Sequence, residues 1–213
     1  MSFYAIILHG DKMKIEKLTL YGMNMSSNCY ILIKDNDCVV VDPGFEDQTL
    51  YSYLKNKNLN VLNIILTHGH FDHWGGLKKL RSLYPNAKLY ASSLDEYWYI
   101  VSSNNPYGYE PKIDVDLHKQ NNIKILNEEF KIIKVPGHSS GSIALYNKAF
   151  IVSGDVLFYR GIGRYDLYQG SYATITESIK KLYQLPDNII VYPGHGNKTT
   201  IGFEKENNPF IRG

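Results

Sequence analysis

The stretch Thr67-His68-Gly69-His70-Phe71-Asp72-His73 constrains the fold and the chemistry of this chain more than any other. It follows residues 61–66, a short apolar and β-branched run that predicts a buried strand. Three histidines and one aspartate then occur within six positions, spaced i, i+2, i+4 and i+5. Histidine ligands on a helix recur at i and i+4. This spacing instead predicts a loop at a strand end, with its side chains turned towards two neighbouring points.

These four side chains are of the types that bind metal ions. Neutral imidazoles and carboxylates are ordinary protein ligands of zinc and similar divalent cations. The alternative is a set of four polar residues in a surface loop, but four ligand-type residues at one strand end seldom arise without a function. Because the side chains turn towards two points, the pattern favours two metal ions over one.

Three more ligand-type residues follow predicted strands, and a glycine precedes each of them. They are His138 after residues 130–135, Asp155 after residues 150–153 and His195 after residues 189–192. Glycine permits a sharp turn at the end of a strand. The repeated order of strand, glycine and ligand-type residue predicts that these strand ends converge at one edge of the sheets.

Strand and helix signals come in blocks along the chain. Residues 29–33 and 38–41 flank the turn-like sequence Lys34-Asp35-Asn36-Asp37, which predicts a hairpin. Further strands are predicted at residues 14–20, 87–91, 123–126, 130–135, 142–146, 150–153 and 189–192, and helices at residues 46–57, 74–84, 94–101 and 171–184. Residues 102–110 predict a loop, either a surface excursion or a lid. Such blocks predict two packed sheets with helices outside, rather than one doubly wound sheet.

The bulk composition limits the class of protein. The chain has 213 residues, of which 44% are hydrophobic and 21% charged, and its formal net charge is +2. That length suits one α/β domain at residues 13–213, with residues 1–12 as an N-terminal extension. The small net charge predicts neither nucleic acid nor a membrane as a partner. A small-molecule substrate is expected, and the oligomeric state is left open.

The predicted location is cytoplasmic. No apolar run approaches the roughly 20 residues that span a membrane, and the first residues lack the basic region and cleavage site of a signal peptide. Cys29 and Cys38 lie in apolar strand-like runs and are predicted to be buried thiols. A disulfide across the hairpin is the alternative.

Six motifs, taken in order, resemble those of the metallo-β-lactamase-fold superfamily, and within it the short glyoxalase II-like (hydroxyacylglutathione hydrolase-like) hydrolases. They are Asp42-Pro43-Gly44, the stretch from Thr67 to His73, Pro136-Gly137-His138-Ser139, Gly154-Asp155, Gly163-Arg164-Tyr165-Asp166 and Pro193-Gly194-His195-Gly196. The resemblance covers nearly the whole chain after residue 13. It implies an α/β fold, the four-layer αβ/βα sandwich, with the site at one edge of two packed sheets.

The resemblance also implies how two metal ions share the ligands. The first ion is held by His68, His70 and His138, the second by Asp72, His73 and His195, and Asp155 bridges both. All seven positions carry the expected residue type, so two divalent ions are expected per chain. Zinc is the default metal, while iron or manganese also suits mixed histidine and carboxylate ligands.

The function implied by this resemblance is hydrolysis of an acyl thioester similar to S-lactoylglutathione. A hydroxide bridging the metal ions would attack the acyl carbonyl, with Asp72 and Asp155 as catalytic residues that orient the water and pass on its proton. Glyoxalase II proper has a further C-terminal helical region that helps to bind glutathione. This chain ends at Gly213, too soon after His195 to contain it. The resemblance therefore implies the chemistry but not the glutathione carrier.

Other functions on the same fold stay open. A mononuclear iron persulfide dioxygenase needs two histidines and one carboxylate, whereas every second-site position is filled here. A lactonase or β-lactamase would use the same metal site with a different pocket. The non-enzyme alternative is a metal-stabilised binding module, but structural zinc sites are usually closed and rich in cysteine, unlike this set.

Residues around the predicted ligands have two interpretations each. Asp42 either accepts a hydrogen bond from a ligand imidazole or simply ends a strand. Arg164 and Asp166 either brace the loop after Asp155 as an ion pair, or Arg164 and Tyr165 contact the substrate.

Overall fold

The computed structural model describes residues 13–101 and 105–213. The predicted N-terminal extension at residues 1–12, and residues 102–104 of the predicted loop, lie outside the described residues. Among the residues described, no helix combines the length and the apolar character needed to cross a membrane.

The N-terminal half forms a six-stranded sheet in the order β1-β2-β3-β4-β5-β6. Its strands are β1 (Lys14–Gly22), β2 (Met25–Lys34), β3 (Asp37–Val41), β4 (Asn60–Ile65), β5 (Lys88–Ala91) and β6 (Val115–Asp116). The predicted hairpin joins β2 to β3, with Lys34 opposite Asp37. Its two-residue turn contains Asp35 at φ +55°, a conformation that aspartate tolerates in tight hairpins. From β3 to β6 the strands run parallel.

The C-terminal half forms a second six-stranded sheet in the order β14-β13-β10-β9-β8-β7. Its strands are β7 (Asn122–Ile125), β8 (Glu128–Lys134), β9 (Ile143–Tyr146), β10 (Phe150–Gly154), β13 (Ile190–Pro193) and β14 (Thr199–Thr200). Strands β7 to β10 form an antiparallel meander, and β13 runs parallel to β10. A short hairpin of β11 (Leu157–Phe158) and β12 (Gly161–Ile162) follows β10.

Helices follow the strands in each half. They are α1 (Gln48–Asn56), α2 (Leu77–Leu83), α3 (Glu96–Ile100), α4 (Tyr172–Leu182) and α5 (Ile201–Asn207). Asp47 caps α1 by accepting a hydrogen bond from the Thr49 amide at 2.8 Å. The buried face of α4 carries Ile175, Ile179 and Leu182, which recur at the spacing expected for one face of a helix.

Three apolar cores hold the layers together. The first lies between the two sheets and contains Leu32, Val41, Ile132, Leu145 and Val152. The second packs α1 and α2 on the outer face of the first sheet, and the third packs α4 and α5 on the outer face of the second. Helix, sheet, sheet and helix thus form four layers, which confirms the predicted αβ/βα sandwich. Both cysteines are buried free thiols, as predicted.

Some predicted boundaries were wrong. The turn between β7 and β8 lies at Leu126 and Asn127, both at positive φ, and not at residues 127–129. The helix predicted at residues 94–101 begins at Glu96, after a 3₁₀ turn (Ser93–Asp95). The two-residue strands escaped prediction because two residues show no periodicity, and α5 also lay outside the predicted elements.

Strand direction explains why distant ligand-type residues meet. In the first sheet β3, β4 and β5 are parallel, so the chain leaves them at the same edge. In the second sheet β8 and β10 are both antiparallel to β9, and β13 is parallel to β10. The loops that leave these strands carry all of the predicted ligands, and they meet at one edge of the sandwich.

Candidate metal centre

One nitrogen atom each from His68, His70 and His138 forms the first group of ligand-type atoms. Nε2 of His138 lies 2.7 Å from Nδ1 of His70 and 3.3 Å from Nε2 of His68. All three side chains are buried, and the three nitrogens lie within 4.8 Å of one another. Such a separation allows a single ion to contact all three nitrogens.

Asp72, His73 and His195 form the second group. Nε2 of His195 lies 3.4 Å from Nε2 of His73 and 3.2 Å from Oδ2 of Asp72. A 3₁₀ turn (Phe71–His73) brings Asp72 and His73 to the same group. Both are buried, whereas the side chain of His195 is 31% exposed. The second group is therefore the more open of the two.

The carboxylate of Asp155 lies between the two groups. Its Oδ2 is 3.6 Å from Nε2 of His138 and 3.2 Å from Nε2 of His195. Its Oδ1 is 3.4 Å from Nε2 of His73. One carboxylate thus faces both groups, which is the position that the resemblance implied for a bridging ligand.

The glycines that precede the ligands serve two different purposes. Gly137 and Gly154 have positive φ, so the sharp turn predicted at these strand ends is present. Gly194 is needed for space instead, because a Cβ atom there would overlap Oδ1 of Asp155.

Backbone carbonyl groups orient two of the imidazoles. Nδ1 of His138 lies 2.7 Å from the carbonyl oxygen of Arg164, and Nδ1 of His195 lies 2.7 Å from that of Ser26. A carbonyl oxygen can only accept, so each Nδ1 donates its proton. In the neutral imidazole, Nε2 then presents its lone pair to the cluster, as a metal ligand must.

Asp42 orients two further imidazoles, those of His73 and His68. Its Oδ2 lies 3.0 Å from Nδ1 of His73 and accepts a hydrogen bond from the Thr67 hydroxyl at 2.7 Å. Because that hydroxyl donates to Asp42, its oxygen is free to accept from Nδ1 of His68 at 3.1 Å. Asp42 therefore accepts a hydrogen bond from the imidazole of a predicted ligand, the first of its two interpretations, in addition to ending β3.

His70 is oriented by packing instead. Its Nε2 is buried and has no hydrogen-bond partner among the described residues. Its ring lies perpendicular to that of Trp98, with the ring centroids 4.2 Å apart. The edge-to-face contact leaves Nδ1 directed at His138.

The two groups differ in electrostatics. Burial lowers the pKa of His68 well below its ordinary value and that of His70 to about 3, so both are neutral. Burial also opposes the charged form of His195, but hydrogen bonds to Asp155 and Asp72 outweigh it and raise the pKa of His195 to about 10. Burial opposes the charged form of His73 as well, but attraction to the carboxylates of Asp155, Asp72 and Asp42 outweighs it and raises the pKa of His73 well above its ordinary value. The carboxylates thus favour a positive charge where the lone pairs converge.

This set of side chains fits a pair of divalent cations. Oδ1 of Asp155 is buried without a hydrogen-bond partner among the described residues, and an unpaired buried carboxylate oxygen is costly. Burial would raise the pKa of Asp155, but the nearby imidazoles hold it well below its ordinary value, so the carboxylate is charged. Five imidazoles and two carboxylates form a donor set typical of zinc, iron or manganese.

Asp95 is a residue at this site that the sequence interpretation missed. It is fully buried, and its Oδ2 accepts hydrogen bonds from the Gly69 amide and the Ser139 hydroxyl, both at 2.7 Å. Its Oδ1 accepts from the Gly141 amide at 2.7 Å. Asp95 thereby ties together the two loops that carry the first group of ligands. In the sequence, Asp95 also follows a strand, β5, but it lacks the preceding glycine that marked His138, Asp155 and His195.

A cavity of about 440 Å³ opens beside the cluster. Arg164 lines the cavity, and its guanidinium donates two hydrogen bonds of 3.0 Å to Asp166. The ion pair between Arg164 and Asp166, one of the two interpretations from the sequence, is therefore present. Tyr165 lies outside this cavity, with its ring centroid 5.0 Å from that of Tyr172.

The fold and the cluster together define a class of metal-binding proteins, and the family comparison names it. The family model of the metallo-β-lactamase superfamily matches residues 23–195. This chain therefore belongs to the metallo-β-lactamase superfamily.

Two relatives illustrate the functions given to similar chains. "Probable metallo-hydrolase YqgX" of Bacillus subtilis (strain 168) is 37% identical over 199 residues, which cover 89% of this chain and 94% of that protein. "Hydroxyacylglutathione hydrolase GloC" of Haemophilus influenzae is 34% identical over 196 residues, which cover 86% of this chain and 92% of that protein.

Solved structures show the same fold. The crystal structure of "BLEG-1 B3 metallo-beta-lactamase" superposes with a TM-score of 0.84 at 33% identity, covering 94% of this chain and 100% of that chain. The crystal structure of TTHA1623 "in a di-iron-bound form" superposes with a TM-score of 0.80 at 32% identity, covering 92% and 100%.

Proposed function

We propose that this protein is a binuclear metal-dependent hydrolase that cleaves acyl thioesters. The ligands would be His68, His70 and His138 for the first ion, Asp72, His73 and His195 for the second, and Asp155 for both. The observation that carries the proposal is the convergence of seven ligand-type side chains, with the Nε2 lone pairs of four imidazoles aimed at the cluster by hydrogen bonds at their Nδ1 atoms.

The two divalent ions that these residues would hold would supply Lewis-acid chemistry, which lowers the pKa of a water molecule and polarises an acyl carbonyl. Asp72 and Asp155 both line the cavity, and Oδ2 of each lies 3.2 Å from Nε2 of His195. In this proposal the two carboxylates would orient a water molecule in the cavity and accept its proton. A thiol has a pKa near 8.5, so a thiolate leaves without needing a proton from the enzyme.

The metal and the substrate are open to more than one choice. Zinc is the proposed metal, and the structure similar to this chain that carries two iron ions supports iron as the alternative. The relative named hydroxyacylglutathione hydrolase supports a thioester substrate such as S-lactoylglutathione, and the similar B3 metallo-β-lactamase supports a β-lactam. A lactone is a further alternative on the same fold. A mononuclear iron persulfide dioxygenase would leave the second group of ligands without a function. A small-molecule substrate and a cytoplasmic location remain predictions.

Metal content measured alongside activity tests this proposal. The purified protein should hold two divalent ions per chain and hydrolyse S-lactoylglutathione or another acyl thioester. Parallel assays use a β-lactam, a lactone, and glutathione persulfide with oxygen uptake as the readout. One iron per chain together with oxygen uptake would replace the hydrolase with the dioxygenase. The control variant Glu177→Ala changes an exposed carboxylate on α4 and should retain both metal and activity.

A further inference from the structure

We propose that the cavity beside the metal centre selects thioesters whose acyl group is apolar. This inference rests on the proposed hydrolase function and names the substrate class of the same site. Apart from the candidate ligands and Arg164, six apolar side chains line the cavity: Met25, Phe71, Trp98, Phe158, Ile162 and Leu167.

These walls come from separate parts of the fold. Met25 begins β2, and Trp98 lies in α3. Phe158 lies in β11 and Ile162 in β12, the two strands of one short hairpin, and Leu167 lies before α4. Phe158, Ile162 and Leu167 are half-buried, so they expose apolar surface to the cavity. An acyl chain that covers this surface removes it from water, which is favourable in proportion to the apolar area buried.

An aromatic cluster holds the wall next to the ligands. Trp98 is buried and packs edge to face against His70. Tyr168 completes this aromatic cluster. Its ring centroid lies 6.3 Å from that of Trp98 and 3.9 Å from that of Tyr97. Because Trp98 contacts a ligand of the first group, an acyl group whose carbonyl is at the metal centre has this wall within reach.

The walls offer little to a polar acyl group. Besides the candidate ligands, Arg164 is the one charged residue that lines the described part of the cavity, and both of its hydrogen bonds go to Asp166. The indole N–H of Trp98 is buried and has no hydrogen-bond partner among the described residues. A hydroxylated or charged acyl group would therefore lose water on entry and regain few hydrogen bonds, which disfavours its binding.

Acyl thioesters of one neutral thiol, N-acetylcysteamine, test this inference on the full-length, metal-loaded protein. The acyl groups are acetyl, propionyl, butyryl, hexanoyl and lactoyl, and each rate is divided by the rate of hydrolysis in hydroxide alone. We expect kcat/KM to rise by up to about fourfold for each added methylene. Propionyl should exceed lactoyl, which differs from it by one hydroxyl group. Equal values across the series, or a preference for lactoyl over propionyl, would overturn the inference.

Substitutions in the wall test the same point with a matched control. Leu167→Asn should lower the hexanoyl-to-acetyl ratio of kcat/KM by roughly tenfold, because it makes one wall polar. Leu62→Asn changes a leucine that is exposed on β4 and should leave the ratio as it is. A ratio that stays the same in both variants would contradict the assignment of this wall to the acyl group.

A binding measurement separates this inference from the proposed function. Alkyl thioethers of N-acetylcysteamine cannot be hydrolysed, and Trp98 lines the cavity as a fluorescent reporter. The dissociation constant measured by quenching of tryptophan emission should fall from the ethyl to the hexyl thioether. The quenching should be lost in Trp98→Phe. Binding that strengthens with chain length, but without cleavage of any thioester, would support the apolar cavity and contradict the proposed thioesterase function. Cleavage that does not depend on chain length would support the thioesterase function and contradict the apolar cavity.

Discussion

The carboxylate of Asp42 lies 3.0 Å from Nδ1 of His73, and both side chains are buried. Asp42 also accepts hydrogen bonds from the amide and the hydroxyl of Thr67 at 2.8 and 2.7 Å. Its two oxygen atoms thus serve three donors, and they set the ring orientation of His73 directly and that of His68 through Thr67.

Asp42→Asn should therefore weaken metal binding. An asparagine has only one acceptor oxygen, and its NH₂ group would face another hydrogen-bond donor. At least one imidazole would therefore lose its orientation. We expect metal affinity to fall roughly 10- to 100-fold. Competition with a chromophoric chelator measures the change. Asp37→Asn, at the other end of β3, is the control and should bind metal normally. Unchanged affinity in Asp42→Asn would show that packing alone orients His73.

Asp155→Ala should abolish both metal pairing and hydrolysis. The carboxylate is the group that faces both sets of imidazoles, so its removal separates the two metal sites. We expect no more than one ion per chain by elemental analysis, and a loss of kcat/KM of roughly 100-fold or more. Full turnover in this variant would defeat the proposed mechanism.

Asp95→Asn should destabilise the protein and loosen the first group of ligands. An asparagine cannot accept from all three of the donors that Asp95 serves. Each hydrogen bond to a buried charged group contributes about 1.5–3 kcal/mol, so we expect a clear fall in the midpoint of thermal unfolding and faster loss of metal to a chelator. Ser139→Ala removes only one of the donors and should have a smaller effect. Wild-type behaviour of Asp95→Asn would refute this role.

The stabilisation gained from metal should increase with pH. Without a cation, burial opposes the charge on His195, but Asp155 and Asp72 raise its pKa to about 10. Protonated His195 then stabilises the fold fully below its unfolded pKa of about 6.5, and this stabilisation is lost as the pH rises through about 10. Bound metal requires the neutral ring.

The gain in unfolding temperature on adding zinc should therefore be larger at pH 9 than at pH 6.5. Paired melting curves with zinc and with a chelator measure that gain at each pH. His195→Gln should flatten the dependence. A gain that shrinks with rising pH would show that the proton and the metal do not compete at this position.

The ligands could be predicted because residue type and local spacing carry that information. His68 to His73 follow a strand as a dense group, and His138, Asp155 and His195 each follow a strand and a glycine. The sheets and their layers were predictable for a related reason, since apolar periodicity is a local property. Two-residue strands such as β11 and β12 have no such periodicity, and they were found only in the structure.

Where the role of a residue depends on contacts with residues distant in sequence, the sequence left that role open or did not indicate it. Asp42 had two interpretations because its hydrogen bonds to Thr67 and His73 cross from β3 to the loop after β4. Asp95 was missed because its three donors come from two loops that are far from it in sequence. The ring of Tyr165 lies 5.0 Å from that of Tyr172, and its contact with a substrate stays a prediction.

The sequence by itself determined the family, the layered architecture and the seven ligand-type residues, because each of these is encoded in short stretches of residue types. The tertiary structure decided which nitrogen of each imidazole faces the cluster, how Asp155 lies between the two groups, and which side chains line the cavity. Those features depend on contacts between residues up to about 170 positions apart, as in the hydrogen bond from His195 to Ser26. No local pattern can specify such contacts before the two sheets pack together.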